Sequence, residues 1–87
     1  MSGPSGAAST ATEELLEYVA RKLVTNPDEV RVVRRERDDA VLLELHVAPD
    51  DLGKVIGKGG RIARALRTLV RASGAKAAER RLLEIVG

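Results

Sequence analysis

Three glycines fall within four positions of the stretch Val55-Ile56-Gly57-Lys58-Gly59-Gly60-Arg61-Ile62. Such a run is not helix interior, where each glycine costs ~1 kcal/mol relative to alanine. It reads as a tight turn between two helices, in which the backbone takes positive φ and lies close against another backbone. The helix that follows brings free N–H groups and the positive end of its dipole to the same spot. Lys58 and Arg61 add full positive charges. The chemistry this suits is the binding of a phosphate.

Other chemistries find little material. A Walker A loop needs G-x-x-x-x-G-K-[ST], but Gly53 and Gly57 are separated by three residues and Gly59 follows Lys58. A dinucleotide fingerprint joins a strand to a helix, whereas this run joins helix to helix. There is one histidine, His46, no cysteine, and serine only at positions 2, 5, 9 and 73. Asp38-Asp39 and Asp50-Asp51 read as turn and helix-start acids rather than as a catalytic pair. Nucleophile, base and oxyanion donors are not assembled, so no enzyme is expected. A lone histidine is a poor metal ligand, and no metal or other cofactor is expected.

The chain has 87 residues, enough for one small domain that buries ~60% of its unfolded surface. The absence of cysteine suits a reducing compartment. No apolar run approaches ~20 residues, and the N-terminus lacks the basic start and apolar block of a signal peptide. A cytoplasmic protein is the default expectation. The net charge of +2 is unevenly spread: residues 1–57 hold seven Lys/Arg against eleven Asp/Glu, and residues 58–87 hold eight against two. Positive charge begins at the glycine run and points to a polyanionic partner. Tyr18 is the only aromatic residue, so bases cannot be held by stacking on sheet aromatics.

The elements around the glycine run follow from periodicity. Residues 1–9 are Ser, Gly, Ala and Pro with no apolar period beyond Met1, and read as a disordered tail; the domain is 10–87. Residues 10–24 read as a helix with Thr10 and Glu13 as a capping box. Leu15, Leu16, Val19, Ala20 and Leu23 form its apolar stripe, and Asn26-Pro27 stops it. Residues 30–37 and 40–48 read as two strands of an antiparallel hairpin turning at Asp38-Asp39. Val41, Leu43, Leu45 and Val47 alternate with Leu42, Glu44 and His46, which puts His46 on a solvent-facing side with Glu44.

Pro49-Asp50-Asp51 starts a short helix buried through Leu52, Val55 and Ile56. A longer helix opens at Arg61. Its arginines at 61, 64, 67 and 71 lie opposite Ile62, Leu66, Leu69 and Val70. Gly74 offers one end for it; Ala75, Ala77 and Ala78 carry it on to about residue 78. Residues 80–86 form a last strand. The expected fold is α+β in the order αββααβ, with three helices on one face of a three-stranded mixed sheet. A crossover through two helices makes the strands 40–48 and 80–86 parallel.

A G-x-x-G loop between two helices, here Gly57-Lys58-Gly59-Gly60, is the signature of the KH domain, a clamp for about four nucleotides of single-stranded nucleic acid. The αββααβ order resembles the type II arrangement. Asn26-Pro27-Asp28-Glu29-Val30 and the stretch from Val47 to Ala65 are similar to the bacterial single-KH RNA-binding family KhpA, and the similarity covers roughly residues 13–86. A four-residue pattern alone is weak; within a long matched segment and the right element order it is strong. Gly59 departs from the family, which often has a bulkier polar residue there.

The resemblance implies RNA held at named positions. The backbone N–H groups of Lys58, Gly59 and Gly60 would face the sugar-phosphate backbone, with Gly57 and Gly60 allowing close approach. Lys58 would meet phosphate by charge, with Arg61, Arg64 and Lys54 beside it. Val55, Ile56 and Ile62 would line an apolar floor for bases, although plain core packing is the commoner role of a residue such as Ile56. Arg67 and Arg71 read as a solvated face. The family further implies a cytoplasmic RNA-binding regulator or RNA chaperone, linked to cell-wall synthesis and cell shape. It acts as a homodimer or with a second KH-containing protein, and without membrane insertion. The competing readings are a protein-interaction or dimerisation module with secondary RNA contact, and a ribosome-associated RNA-binding factor.

Overall fold

A computed structural model describes residues 7–87, with side chains from residue 11 onward. Its elements are helix α1 (Ala7–Leu23), strands β1 (Arg31–Glu36) and β2 (Val41–His46), helices α2 (Leu52–Ile56) and α3 (Arg61–Lys76), and strand β3 (Arg81–Val86). Short 3-10 turns occupy Pro27–Glu29, Pro49–Asp51 and Lys58–Gly60. The expected order is the observed one. Of the tail expected over residues 1–9, residues 1–6 lie outside the described residues. Residues 7–9 already belong to α1, so Thr10 stands inside that helix and does not cap it.

The sheet order is β1-β2-β3. β2 pairs antiparallel with β1, Val41 opposite Glu36 and His46 opposite Arg31, and parallel with β3, Leu43 opposite Leu83. The central strand explains the one-sided packing. Its odd positions Val41, Leu43 and Leu45 are buried and its even positions are half-buried, because side chains of a strand alternate between faces. The three helices cover the odd face. Leu16, Leu43, Leu45, Val55 and Val70 are wholly enclosed there, each stabilising the fold by ~1.5–3 kcal/mol through removal from water. On the open face His46 Nε2 lies 3.1 Å from Glu44 Oε1, and Arg35 Nε donates to Glu44 Oε2 at 2.9 Å. Those two bonds hold the Glu44 carboxyl below its ordinary range.

α3 ends at Lys76 in a Schellman motif. The Glu79 N–H donates to Gly74 O at 2.7 Å and the Ala78 N–H to Ala75 O at 3.1 Å. Ala78 takes the left-handed conformation at φ 55° that closes this motif. Gly74 is therefore a buried helix residue rather than the terminus. A Cβ on it would run into Glu79 O and lie 2.9 Å from Arg81 Cγ.

A charged network closes the end of the core opposite the glycine run. Arg81 is only 4% exposed. Its Nη1 donates to Thr12 Oγ1 and Ser73 Oγ, both at 3.1 Å, and its Nε to Glu79 Oε1 at 3.0 Å. Arg34 Nη2 donates to the other Glu79 oxygen at 3.2 Å, and its Nη1 lies 3.8 Å from Glu13 Oε2. Burial pushes the Glu13 carboxyl above its ordinary value, and the charges of Arg34 and Arg81 offset only part of that.

Candidate nucleic-acid interface

The glycine run forms two interlocked turns. The Gly57 N–H donates to Gly53 O at 2.9 Å, ending α2, and the Gly60 N–H donates to Gly57 O at 3.1 Å. Gly59 (φ 64°, ψ 17°) and Gly60 (φ 77°, ψ 15°) are both left-handed, and the Arg61 N–H closes on Lys58 O. Two successive positive φ values make this a type I′ turn, a shape glycine adopts without strain. Gly57 sits at φ 78°, ψ 169°, a region essentially restricted to glycine. A Cβ there would meet Ile62 Cγ1 at 2.7 Å. That close approach seats the loop on the first turn of α3.

The loop leaves two of its donors unused. The Lys58 and Gly59 amides make no hydrogen bond to another described backbone group. The Gly60 amide is already used within the turn, so the expectation that it faces phosphate is corrected. Lys58 and Arg61 are exposed beside these amides. Arg64 is exposed as well and donates from Nη2 to Gly59 O at 3.2 Å. Lys54 lies one turn before the loop, half-exposed and 3.9 Å from Asp51 Oδ1.

Of the three apolar residues expected to floor a groove, Val55 is excluded. It is 0% exposed because its position on the short α2 points straight into the core. Ile56 and Ile62 are half-buried, and Ile62 packs against the core.

Asp50-Asp51 also differs from expectation. Asp51 makes no cap to α2. Its buried carboxylate accepts the N–H groups of Thr25 at 3.0 Å and Asn26 at 2.9 Å, and the Asn26 Nδ2 at 3.0 Å. Burial opposes its charge, but those donors prevail and hold the carboxyl below the ordinary 3.8. The start of α2 is thereby tied to the end of α1, and the glycine loop is carried on that joint. A contact between residues 25 positions apart leaves no local signal in a sequence.

The sequence pattern puts Arg71 on a solvated face, and the structure gives it a setting. At 100° steps Arg64, Arg67 and Arg71 span about 60° of arc, on the flank of α3 whose Gly74 abuts Arg81. Arg71 lines an open cleft of about 550 Å³ with Ala75, Glu79, Arg80 and Leu82. Lys58, Arg61, Arg67 and Arg71 have no ion-pair partner among the described residues. Arg81, counted with the basic half by sequence, is instead locked into the core network.

An αββααβ sheet-and-helix unit with a glycine turn between α2 and α3 defines a KH domain of type II. The family profile described as "KhpA/KhpB, KH domain" matches residues 13–85. Relatives named "RNA-binding protein KhpA" include one from Treponema pallidum, 52% identical over 77 residues, covering 88% of this chain and 96% of the relative. One from Aquifex aeolicus is 51% identical over 77 residues, covering 88% and 98%. One from Clostridium acetobutylicum is 49% identical over 74 residues, covering 85% and 99%. The chain belongs to the KhpA/KhpB KH-domain family.

Proposed function

We propose that this protein binds single-stranded RNA through the Gly57–Gly60 loop and performs no catalysis. The observation that carries the reading is the loop itself: two amides without a backbone partner, on the exposed residues Lys58 and Gly59, flanked by the unpaired charges of Lys58 and Arg61. Backbone N–H groups beside a helix N-terminus accept a phosphate without reorganisation. Gly57, pressed on Ile62, and Gly60, in the turn, let the RNA backbone approach. Ile56 and Ile62 offer apolar surface, and the flank from Arg64 to Arg71 continues the positive potential. The relatives' name, RNA-binding protein, supports RNA as the polyanion.

A clamp of about four nucleotides gives modest affinity, so a second KH unit, from another copy or another KH protein, would raise it by avidity. The same reading makes the protein a cytoplasmic RNA-binding regulator or chaperone linked to cell-wall synthesis and cell shape; the support for this is the family resemblance. No helix among the described residues is long and apolar enough to cross a membrane.

The test is titration of a labelled pool of short single-stranded RNAs with the wild type and a Lys58→Asp, Gly59→Asp variant at two salt concentrations. A Cβ on Gly59 meets nothing within 4 Å and Asp tolerates left-handed backbone, so the variant should fold, as circular dichroism would verify. Wild-type binding that weakens with salt at ~0.7 per phosphate contact, lost in the variant, is the expected result. Equal binding by both would make the arginine flank a non-specific polycation. Binding by neither would favour a protein partner.

A further inference from the structure

The Gly59–Gly60 peptide is the central peptide of the type I′ turn. A turn with glycine at both central positions has little to stop that peptide from flipping, because both residues accept either the I′ or the II′ geometry. The flip would turn the Gly59 carbonyl and the Gly60 N–H over together. In this structure the N–H side is tied to Gly57 O at 3.1 Å, and the carbonyl side is tied by Arg64 Nη2 at 3.2 Å. Apart from Gly60 itself and its chain neighbours, Arg64 Nη2 is also the only described heavy atom within 4 Å of a Cβ built on Gly60, at 3.8 Å. Its guanidinium, although exposed, thus lies along the turn. Arg61 and Arg67, on the same helix, make no such bond among the described residues.

We infer that Arg64 is a positioning residue of the loop: it latches the Gly59 carbonyl and holds the Gly59–Gly60 peptide in one orientation, which keeps the Gly60 N–H on Gly57 O and so keeps closed the turn that carries the Lys58 and Gly59 amides. The inference rests on the RNA-binding reading above, and departs from a simple phosphate contact by Arg64. A latch and a contact differ in two measurable ways. Removing a phosphate contact lowers the salt slope by ~0.7; removing a latch leaves the slope alone. A latch also becomes redundant if the turn is stiffened by other means. Gly59→Asn does this, because Asn accepts the left-handed conformation but not the flipped one, and there is open space around Gly59.

The experiment is RNA titration of wild type, Arg64→Ala, Gly59→Asn and the double variant, at several salt concentrations, with 15N relaxation dispersion on the free proteins. The expected result is about two- to tenfold weaker binding for Arg64→Ala, the size of one net hydrogen bond, with an unchanged salt slope. In the Gly59→Asn background the same substitution should have no further effect. The free Arg64→Ala protein should show exchange at Gly59, Gly60 and Arg61 that the wild type lacks. A lowered slope with no rescue would overturn the latch in favour of direct contact. Unchanged affinity, or a free Arg64→Ala protein with a quiet loop, would overturn it outright. Failure of the wild type to bind RNA would instead refute the underlying reading, and the free-protein exchange would still decide the latch.

Discussion

The glycines of the loop are not equivalent, and each makes its own prediction. Gly57 combines a backbone conformation closed to other residues with a Cβ position 2.7 Å from Ile62. Gly57→Ala should destabilise the fold by several kcal/mol, summing ~1–3 kcal/mol of overpacking with backbone strain of similar size. Gly59 is left-handed but open, so Gly59→Asn should change stability by less than ~1 kcal/mol; thermal melts of the two variants would separate the cases. The converse situation occurs at Ala78, a non-glycine residue at φ 55° in the Schellman motif. Ala78→Gly should stabilise the protein by ~1 kcal/mol, a rise of about 4–8 °C in Tm for a domain of this size.

At the scale of elements, one buried and one half-buried carboxylate join helices to their neighbours and respond to pH in opposite senses. Asp51 is held below its ordinary 3.8 by the Thr25 and Asn26 donors. The stability it contributes is present above that value and is lost as pH falls through the lower folded value. Glu13 is raised above its ordinary 4.5 by burial, which the Arg34 and Arg81 charges offset only in part. Its contribution is full below 4.5 and is lost as pH rises through the folded value. The Tm of Asp51→Asn, relative to wild type, should therefore fall as pH is raised from 3 to 7, while that of Glu13→Gln should rise over the same range. Parallel slopes for the two variants would contradict this account. The same residues mark what sequence could reveal. Element order and strand pairing were legible, because the period of two in Val41–Val47 and the arginine face of α3 are local patterns. Strand ends fell within one or two residues. The start of α1 was missed because Thr10 and Glu13 mimic a capping box inside a helix. The end of α3 comes two residues before the expected one because its Schellman motif uses Ala78 where glycine is usual. The Asp51 joint and the burial of Val55 depend on tertiary packing that periodicity does not carry.

For the whole molecule, the decisive quantity is how the positive charge of the C-terminal half is divided. Arg81 is consumed by the core network with Thr12, Ser73 and Glu79, and Arg80 faces only the exposed Asp39 at 3.6 Å, a pairing worth little in water. The free charge runs from Lys58 and Arg61 along Arg64 and Arg67 to the cleft bearing Arg71 and Arg80. Arg61 and Arg71 are separated by about 15 Å along the helix axis, so a tetranucleotide centred on the loop and a longer RNA should sample different parts of this track. Replacing Arg71 and Arg80 together by alanine should leave the affinity of a tetranucleotide nearly unchanged. It should weaken binding of an octanucleotide and lower its salt slope by ~1.4, two phosphate contacts at ~0.7 each. Titration of both RNAs with wild type and variant would measure this. Equal weakening of both would mean that the two arginines act only through the general field. No change in either would confine the RNA to the loop, and would leave the apolar Leu82 and Ala75 of the cleft without a part in binding.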